Sequence, residues 1–576
     1  MYGVWNIVDS IFEEFSKERK ELQEQGKLPN WFTTLSWQVF KTKYLYQADT
    51  FEEQIDRIVA AVGAFCPTNT DYFKRRWKEC IMKGHAYLAT PVLGNAGTTR
   101  GMPVSCSGTY VGDSIYDFYD DVKQCAVLSQ EGFGTSSYLG DIRERGAKIS
   151  RGGKANGVVP VFEDFVTMSQ KVSQGGTRRG AWAGYIGIGH GDFWELANYL
   201  KNEPEGANVG YNFYDDDVKA LNDQEEDMIS RMQRVLSTKM ITGKGYWYFP
   251  DKVARAQPPM YKDLGLSSKA SNLCTEITLH SDEEHTYTCV LSGMVCSTYD
   301  EWKNTDAVYV MTVFLDCLVS YFLDQAKDIK GLEKAVRGTE KSRALGLGLS
   351  GLHSYFQKNR IPFESFEAHM KNNEIFDHLA KEARKASEWM GKEWGEPEWC
   401  KGYGVRNTHT VALAPNVTSS LIFGSESQGI TPWFGNVYTE GSAAGGLFRI
   451  NPEFVELLKT YGMYNDDVID SVLDNNGSCQ HLDFLSDEDK EVFKTFFEID
   501  QTAVIRLASA RQKAMDKYGQ AQAQSLNLAF DADEDPAYIS YIHCLAANDE
   551  HIKSLYYIRS KAGVNASKGV CVACES

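Results

Sequence analysis

Asn272-Leu-Cys-Thr-Glu276 sets an amide, a thiol and a carboxylate at alternate positions. In an extended strand those positions share one face, so the segment predicts a strand with Asn272, Cys274 and Glu276 side by side. A donor, a sulfur and a base on one face are costly to bury without a chemical use. A polar strand facing solvent, or a satisfied core cysteine, is the plain alternative. A second thiol feature closes the chain: Cys571-Val-Ala-Cys574. It lies in residues 561–576, a small, polar, aperiodic stretch that reads as a mobile tail. A structural zinc needs four ligands, usually as two such pairs, and no second Cys-x-x-Cys or nearby histidine pair occurs. A dithiol on a mobile end suits thiol exchange, since it can reach a disulfide and then be reduced itself. Half of a zinc site shared with a partner, or no role, are the alternatives. Two glycine or hydroxyl motifs complete the set. Ala414-Pro-Asn-Val-Thr-Ser-Ser420 reads as an anion cradle at a helix start, or as an ordinary capped helix. Gly346-Leu-Gly348-Leu-Ser-Gly351 fits G-x-G-x-x-G, but the charged, helical stretch before it is not the strand a dinucleotide site needs; close helix packing is the expected use of these glycines.

The elements that must position these groups are legible in outline. Phe51, Ile55, Ile58, Val59 and Val62 recur at helical spacing, and Val8, Ile11, Phe12 and Phe15 fall on one face of a docked amphipathic helix. From about residue 90 short apolar runs, at 87–93, 125–128 and 157–162, alternate with glycine-rich turns and helical segments, which predicts a mixed α/β domain. Longer helices dominate 300–400 and 485–520. Residues 529–536 read as an acidic loop. No solenoid repeat is present.

With 576 residues, 43% of them hydrophobic, the chain can bury a large core. A formal net charge of -18 disfavours polynucleotides and anionic membranes as partners, while one phosphate group can still be held locally. The N-terminus lacks the features of a signal peptide. The longest apolar run, residues 308–323, is short and contains Asp316, so a buried helix is expected rather than a membrane span. Thirteen scattered cysteines, an odd number, point to a reducing compartment and a cytoplasmic protein.

Asn272-Leu-Cys-Thr-Glu276 resembles the N-x-C-x-E signature of ribonucleotide reductase large subunits. Pro103-Val-Ser105-Cys106 with Gly112-Asp113-Ser114 resembles the family segment holding one cysteine of the active-site dithiol. Tyr287-Thr-Cys289-Val-Leu-Ser292 resembles the segment beyond the radical cysteine, and Cys289 is assigned as the partner of Cys106. The 414–420 turn resembles the substrate-phosphate loop, and Leu555-Tyr556-Tyr557 the tyrosine pair of class I enzymes. With the tail dithiol these matches run in family order over about four-fifths of the chain.

The resemblance implies a ten-stranded α/β barrel with a central finger loop: a helical N-terminal region at 1–85, the barrel at 86–560 and a redox-active tail at 561–576. It implies that Cys274 becomes a thiyl radical and takes the 3′ hydrogen of a ribonucleotide. Glu276 then removes the 3′-hydroxyl proton, Asn272 holds the same region by hydrogen bonding, and Cys106 with Cys289 reduces the 2′ carbon. Cys571 and Cys574 would carry electrons in from thioredoxin or glutaredoxin. No cofactor would bind this chain directly, and no metal-ligand set for making a radical is read here. The radical would come from a small (beta) subunit with a dimetal centre, through Tyr556 and Tyr557. Thr90, Ser105, Gly132, Pro415, Val417, Thr418, Ser419 and Ser420 resemble substrate contacts. Asp113, Ser114, Ile115, Arg143 and Arg151 resemble a dNTP or ATP effector site at a homodimer interface, and residues 202–208 the loop joining effector to substrate.

Two departures stand out. The family's N-terminal ATP-cone is not recognisable, so no shut-off by dATP through a cone is expected; the compact length resembles virus-encoded or otherwise reduced members, which would place the protein in a host cytoplasm. Asn416-Val417 stands where many relatives have Ser-Glu. The competing readings are a cobalamin-dependent class II reductase, against which Tyr556-Tyr557 argues, a non-catalytic nucleotide-binding homologue, and a general disulfide oxidoreductase using the tail pair. A glycyl-radical enzyme is disfavoured, since no glycine-radical loop is visible near the C-terminus.

Overall fold

Short strands, buried almost throughout and separated by helices, are the pattern of a parallel sheet covered on its outer face, and the computed structural model forms one. It describes residues 2–150, 152–174, 178–203, 208–442 and 445–560. Eleven strands make the main sheet: β1 (Ala86–Leu88), β2 (Cys106–Tyr110), β3 (Gly134–Tyr138), β4 (Trp182–Gly187), β5 (Asn208–Asn212), β6 (Tyr246–Tyr248), β7 (Tyr287–Val295), β8 (Leu345–Ser350), β9 (Val411–Leu413), β10 (Ala521–Gln524) and β11 (Ser554–Leu555). Ten follow one path, β10-β9-β8-β7-β2-β3-β4-β5-β6-β11, and β1 adds to β7. Strands β2 to β6 run parallel to each other, as do β7 to β10. The two sets meet antiparallel at β2–β7, and β11 pairs antiparallel with β6. The ends of the path come together where Ser554 Oγ donates to the Gln524 carbonyl (3.2 Å) and the Tyr556 N–H to the Leu526 carbonyl (2.8 Å). A parallel ladder between Leu528–Phe530 and Ile558–Ser560 prolongs that seam. The expected ten-stranded α/β barrel is therefore present.

Helices cover it. Ala307–Ala326 carries the run expected as a buried helix; it is the one helix among the described residues long and apolar enough to cross a membrane, and 78% of that apolar stretch is buried. Its Asp316 is held by Arg343 and Arg406 at 2.9 and 2.8 Å, and by Asn407 Nδ2 at 2.9 Å, partners without which a buried carboxylate would be untenable. Phe51–Gly63 is a helix with Phe51, Ile55, Ile58, Val59 and Val62 buried, started by Thr50, whose hydroxyl accepts from the Glu53 N–H (3.1 Å).

Several expectations are corrected. The apolar runs at 125–128 and 157–162 lie in the helices Ile115–Gln130 and Val158–Lys171 rather than forming strands, and 87–93 divides between β1 and the helix Thr90–Asn95, which has Pro91 in its first turn. Short apolar runs do not distinguish a strand from a buried helical face. In the N-terminal helix Tyr2–Glu24, Phe15 packs on the core but Phe12 is 46% exposed. Gly346 and Gly348 sit within β8 and serve strand packing, not helix packing. A Cβ on Gly346 would come 2.3 Å from Leu291 Cδ2 and 3.0 Å from Cys289 Sγ.

Candidate active site

A turn is inserted among the barrel strands and bonded to several of them. Residues 271–276 form no strand: Leu273 and Cys274 occupy a turn, and Thr275 takes φ 71°, a conformation unfavourable for a β-branched residue. The expected extended face is thus wrong in geometry, because alternate spacing also suits a tight turn whose side chains fan outward. The turn is held from all sides. Tyr185 Oη donates to the Asn272 carbonyl (2.7 Å), Ser525 Oγ to the Cys274 carbonyl (2.6 Å), Ser554 Oγ to the Thr275 carbonyl (2.9 Å), and the Ala523 N–H to the Glu276 carbonyl (2.9 Å). Asn272 Oδ1 accepts from the Ile277 N–H at 3.2 Å and closes the turn. Strands from both halves therefore fix a strained loop, the signature of a conformation kept for use.

Each side chain of the turn meets a different partner. Asn272 Nδ2 donates to Cys106 Sγ at 3.3 Å. Cys106 is paired directly opposite Cys289 where β2 meets β7. Opposed antiparallel residues stand about 4.5–5.5 Å apart at Cα, within disulfide span, and project to the same side of the sheet. Cys289 is fully buried; burial holds its thiol well above the ordinary range, so it stays protonated. Gln522 Nε2 lies 3.8 Å from Cys289 Sγ and also donates to the Leu345 carbonyl (2.9 Å). Gln522 Oε1 accepts from the Thr278 N–H at 3.1 Å.

Cys274 meets a different set of partners. Tyr556 Oη donates to its sulfur at 3.4 Å. Tyr556 and Tyr557 pack ring to ring at 4.2 Å, and Tyr246 touches both, at 4.9 and 5.4 Å. Tyr246 Oη donates to Asn208 Oδ1 at 3.3 Å. Tyr138, Tyr185, Tyr246, Tyr248, Tyr556 and Tyr557 form one buried cluster with Leu273 and Cys274, an aromatic wall beside the sulfur. Glu276 is 1% exposed; burial raises its carboxyl to about 7 despite the opposing bonds of its own backbone and of Asn272, and Oε2 has no hydrogen-bond partner among the described residues. A half-protonated carboxyl with an idle oxygen is suited to take and return a proton near neutrality.

The 414–420 segment forms a bend and a short helix, Val417–Ile422, with Asn416 at φ 55° before it. Asn416 Nδ2 donates to the Leu349 carbonyl (3.1 Å), and Val417 packs on the tyrosine cluster, so the helix start lies beside that cluster. The hydroxyls of Ser419 and Ser420 are spent on the Leu88 and Val417 carbonyls (3.2 and 2.9 Å). Half-buried Pro415, Val417 and Thr418, with the first-turn amides, are what an incoming anion would meet. Thr90 begins a helix beside β1, Ser105 is buried with its carbonyl bonded to the Gly134 N–H (2.9 Å), and Gly132 takes φ 99°.

Asp113 and Arg143 lie elsewhere and pair with each other, Nε to Oδ2 at 2.6 Å. Ser114 caps the helix Ile115–Gln130, from which Ile115, Tyr116 and Tyr119 project 70%, 77% and 58% exposed. Arg151, residues 204–207 of the predicted connecting loop, Cys571 and Cys574 lie outside the described residues. Sequence reasoning missed Tyr246, Gln522 and Ser525; the one signal was Ala521-Gln-Ala-Gln524, polar residues alternating within an otherwise apolar setting.

Comparison with known proteins agrees with this geometry. The family model described as "Ribonucleotide reductase, barrel domain" matches residues 104–212, 205–403 and 397–558. A Frog virus 3 (isolate Goorha) protein named as a ribonucleoside-diphosphate reductase large subunit is 33% identical over 85% of this chain and 88% of its own length. The "Ribonucleoside-diphosphate reductase large subunit" of Invertebrate iridescent virus 3 is 28% identical over 94% of this chain and 95% of its own. Among solved structures, the Actinobacillus ureae class Id ribonucleotide reductase alpha subunit superposes with a TM-score of 0.84, at 36% identity, covering 94% of this chain and 99% of that one. A likeness that runs through barrel, finger loop and closing seam alike means that the chain belongs to the ribonucleotide reductase large-subunit family.

Proposed function

We propose that the chain reduces ribonucleoside diphosphates to 2′-deoxyribonucleoside diphosphates with Cys274 as the hydrogen-abstracting thiyl, supplying precursors for DNA synthesis. The observation that carries the reading is the register of Cys106 opposite Cys289, with Asn272 of the finger loop bonded to the first of them. The loop that carries Cys274 is thereby tied to the reducing dithiol. The cycle starts when a hydrogen atom leaves the Cys274 thiol toward oxidised Tyr556, along the 3.4 Å contact. The Cys274 radical takes the 3′ hydrogen, and Glu276 accepts the 3′-hydroxyl proton on its idle oxygen. Water leaves C2′, and Cys106 and Cys289 give two electrons and two protons, closing a disulfide. The 3′ hydrogen returns from Cys274, Glu276 gives its proton back to the 3′ oxygen, and the sulfur radical left at 274 takes a hydrogen atom back from Tyr556. Enclosure by the tyrosine wall keeps the radical from solvent.

The small (beta) subunit is the partner, and its dimetal centre supplies the oxidising equivalent through Tyr557 and Tyr556. The tail pair Cys571 and Cys574 reopens the disulfide by exchange, thioredoxin or glutaredoxin re-reduces the tail, and the setting is the cytoplasm. Two copies associate through the exposed Ile115, Tyr116 and Tyr119 face, an apolar surface unusual for a helix left in water. A dNTP or ATP binds beside it at Asp113, Ser114, Ile115, Arg143 and Arg151, its phosphates displacing Asp113 from Arg143. Pro415, Val417, Thr418, Ser419, Ser420, Thr90, Ser105 and Gly132 line the substrate.

The test is cytidine diphosphate reduction with and without a class I small subunit. Turnover only with the small subunit, absent in Cys274→Ser, supports the reading. Turnover with adenosylcobalamin alone would refute it in favour of a class II enzyme.

A further inference from the structure

The segment leading from the finger loop into β7 holds a second group of chemistry-bearing side chains. His280, Asp282 and His285 stand in a His-x-Asp-x-x-His spacing. Their potential ligand atoms lie within 4.8 Å of one another. Each imidazole turns one nitrogen to a different oxygen of the same carboxylate: His280 Nε2 to Oδ2 and His285 Nδ1 to Oδ1, both at 2.9 Å. Nitrogen and oxygen donors bind zinc-like ions at about 2.0–2.2 Å, which puts two donors of one ion about 3 Å apart.

The surroundings preset these three groups. His280 is buried, and its Nδ1 lies 2.9 Å from the Ser267 carbonyl. A ring N–H given to a backbone carbonyl fixes the tautomer in metal-binding histidines. The Ser267 N–H lies 3.1 Å from the same Nδ1, so these two backbone groups set the ring with Nε2 turned to the carboxylate, where a proton or a metal ion bridges the pair. The backbone N–H groups of Glu284 and His285 donate to Asp282 Oδ1 at 2.9 and 2.8 Å and hold the carboxylate in place. Trp399 packs against both imidazoles, with ring centroids at 5.6 and 5.2 Å. Asp282 and His285 are half-buried and Glu283 beside them is exposed, so the group lies near the surface.

We infer that His280, Asp282 and His285 bind one divalent transition-metal ion of the zinc or cobalt kind. The imidazole and carboxylate set favours these borderline ions over soft ones. The ion ties together the eight residues between Thr278, anchored on Gln522 Oε1 (3.1 Å), and Tyr287, the first residue of β7. It therefore braces the connection between Glu276 and Cys289, away from the reacting atoms.

The test uses the full chain carrying Cys571→Ser and Cys574→Ser, which removes the tail thiolates as competing ligands. After chelation the protein is titrated with Co(II) and read by visible absorption, with retained metal counted by mass spectrometry. One ion per chain is expected, with ligand-field bands and no thiolate charge-transfer band. His285→Ala and Asp282→Asn, both at half-buried positions that tolerate substitution, are each expected to weaken binding by more than about tenfold. Zinc should raise the melting temperature of the parent and not of the two variants. No retained ion, a thiolate band, or unchanged affinity in both variants would overturn the inference.

Discussion

Replacing Glu276 with Gln isolates the cost of burying this carboxyl. Burial lifts it from an ordinary 4.5 to about 7. The unfolded chain therefore releases its proton about 2.5 pH units earlier than the folded one. At 1.36 kcal/mol per unit the folded state loses about 3 kcal/mol between those two values. The direction follows from the raised carboxyl: its stability contribution is complete below about 4.5, declines as pH rises, and is gone above about 7. Glutamine, an isostere of the protonated form, does not titrate. Urea unfolding of parent and Glu276→Gln is the assay, at pH 5 and at pH 8.5, with the difference between proteins taken at each pH so that other titrating groups cancel. The variant should gain most of about 3 kcal/mol on the parent over that interval, while losing turnover because the idle Oε2 is replaced. Parallel pH dependence of the two proteins would refute the claim that this carboxyl is buried without a counter-charge.

Three further outcomes follow from the same geometry. Tyr556→Phe removes the hydroxyl bonded to Cys274 Sγ; it should cost about 1 kcal/mol of stability yet abolish turnover with the small subunit, and retained turnover would exclude Tyr556 from the relay. Gly346→Ala drives a methyl against Leu291 and Cys289; about 1–3 kcal/mol of destabilisation is expected, with slower closure of the Cys106–Cys289 disulfide in a thiol-counting assay. Asp316→Asn leaves Arg343 and Arg406 without their buried counter-charge, and a loss of about 3–5 kcal/mol in urea unfolding is expected.

The chemistry was more legible than the architecture that holds it. Asn272, Cys274 and Glu276 stand out because three reactive types at alternate positions are hard to place by chance, yet the same spacing suggested a strand. The turn is imposed by Tyr185, Ser525, Ser554 and Ala523 from distant strands, contacts that no local pattern records. Cys106 and Cys289 are 183 residues apart, and only the antiparallel junction of the two half-barrels makes them neighbours. Gly346 and Gly348 resemble a nucleotide loop until their crowding explains them, Gly346 against Leu291 and Cys289 and Gly348 against Tyr87. His280, Asp282 and His285 carry no familiar spacing, and their convergence depends on a turn closed by two backbone N–H groups. The long helix Ala307–Ala326 is the opposite case, since an apolar run with one acid defines it locally and Arg343 and Arg406 only complete it.

The most direct measurement is peptide mapping of the thiols after a single turnover of cytidine diphosphate, with the small subunit present and no external reductant. In the Cys571→Ser, Cys574→Ser chain, one Cys106–Cys289 disulfide should appear for each deoxycytidine diphosphate formed, and neither should appear when Cys274 is also serine. Product formed while residues 106 and 289 stay as thiols, or product formed without the sulfur at 274, would contradict the assignment.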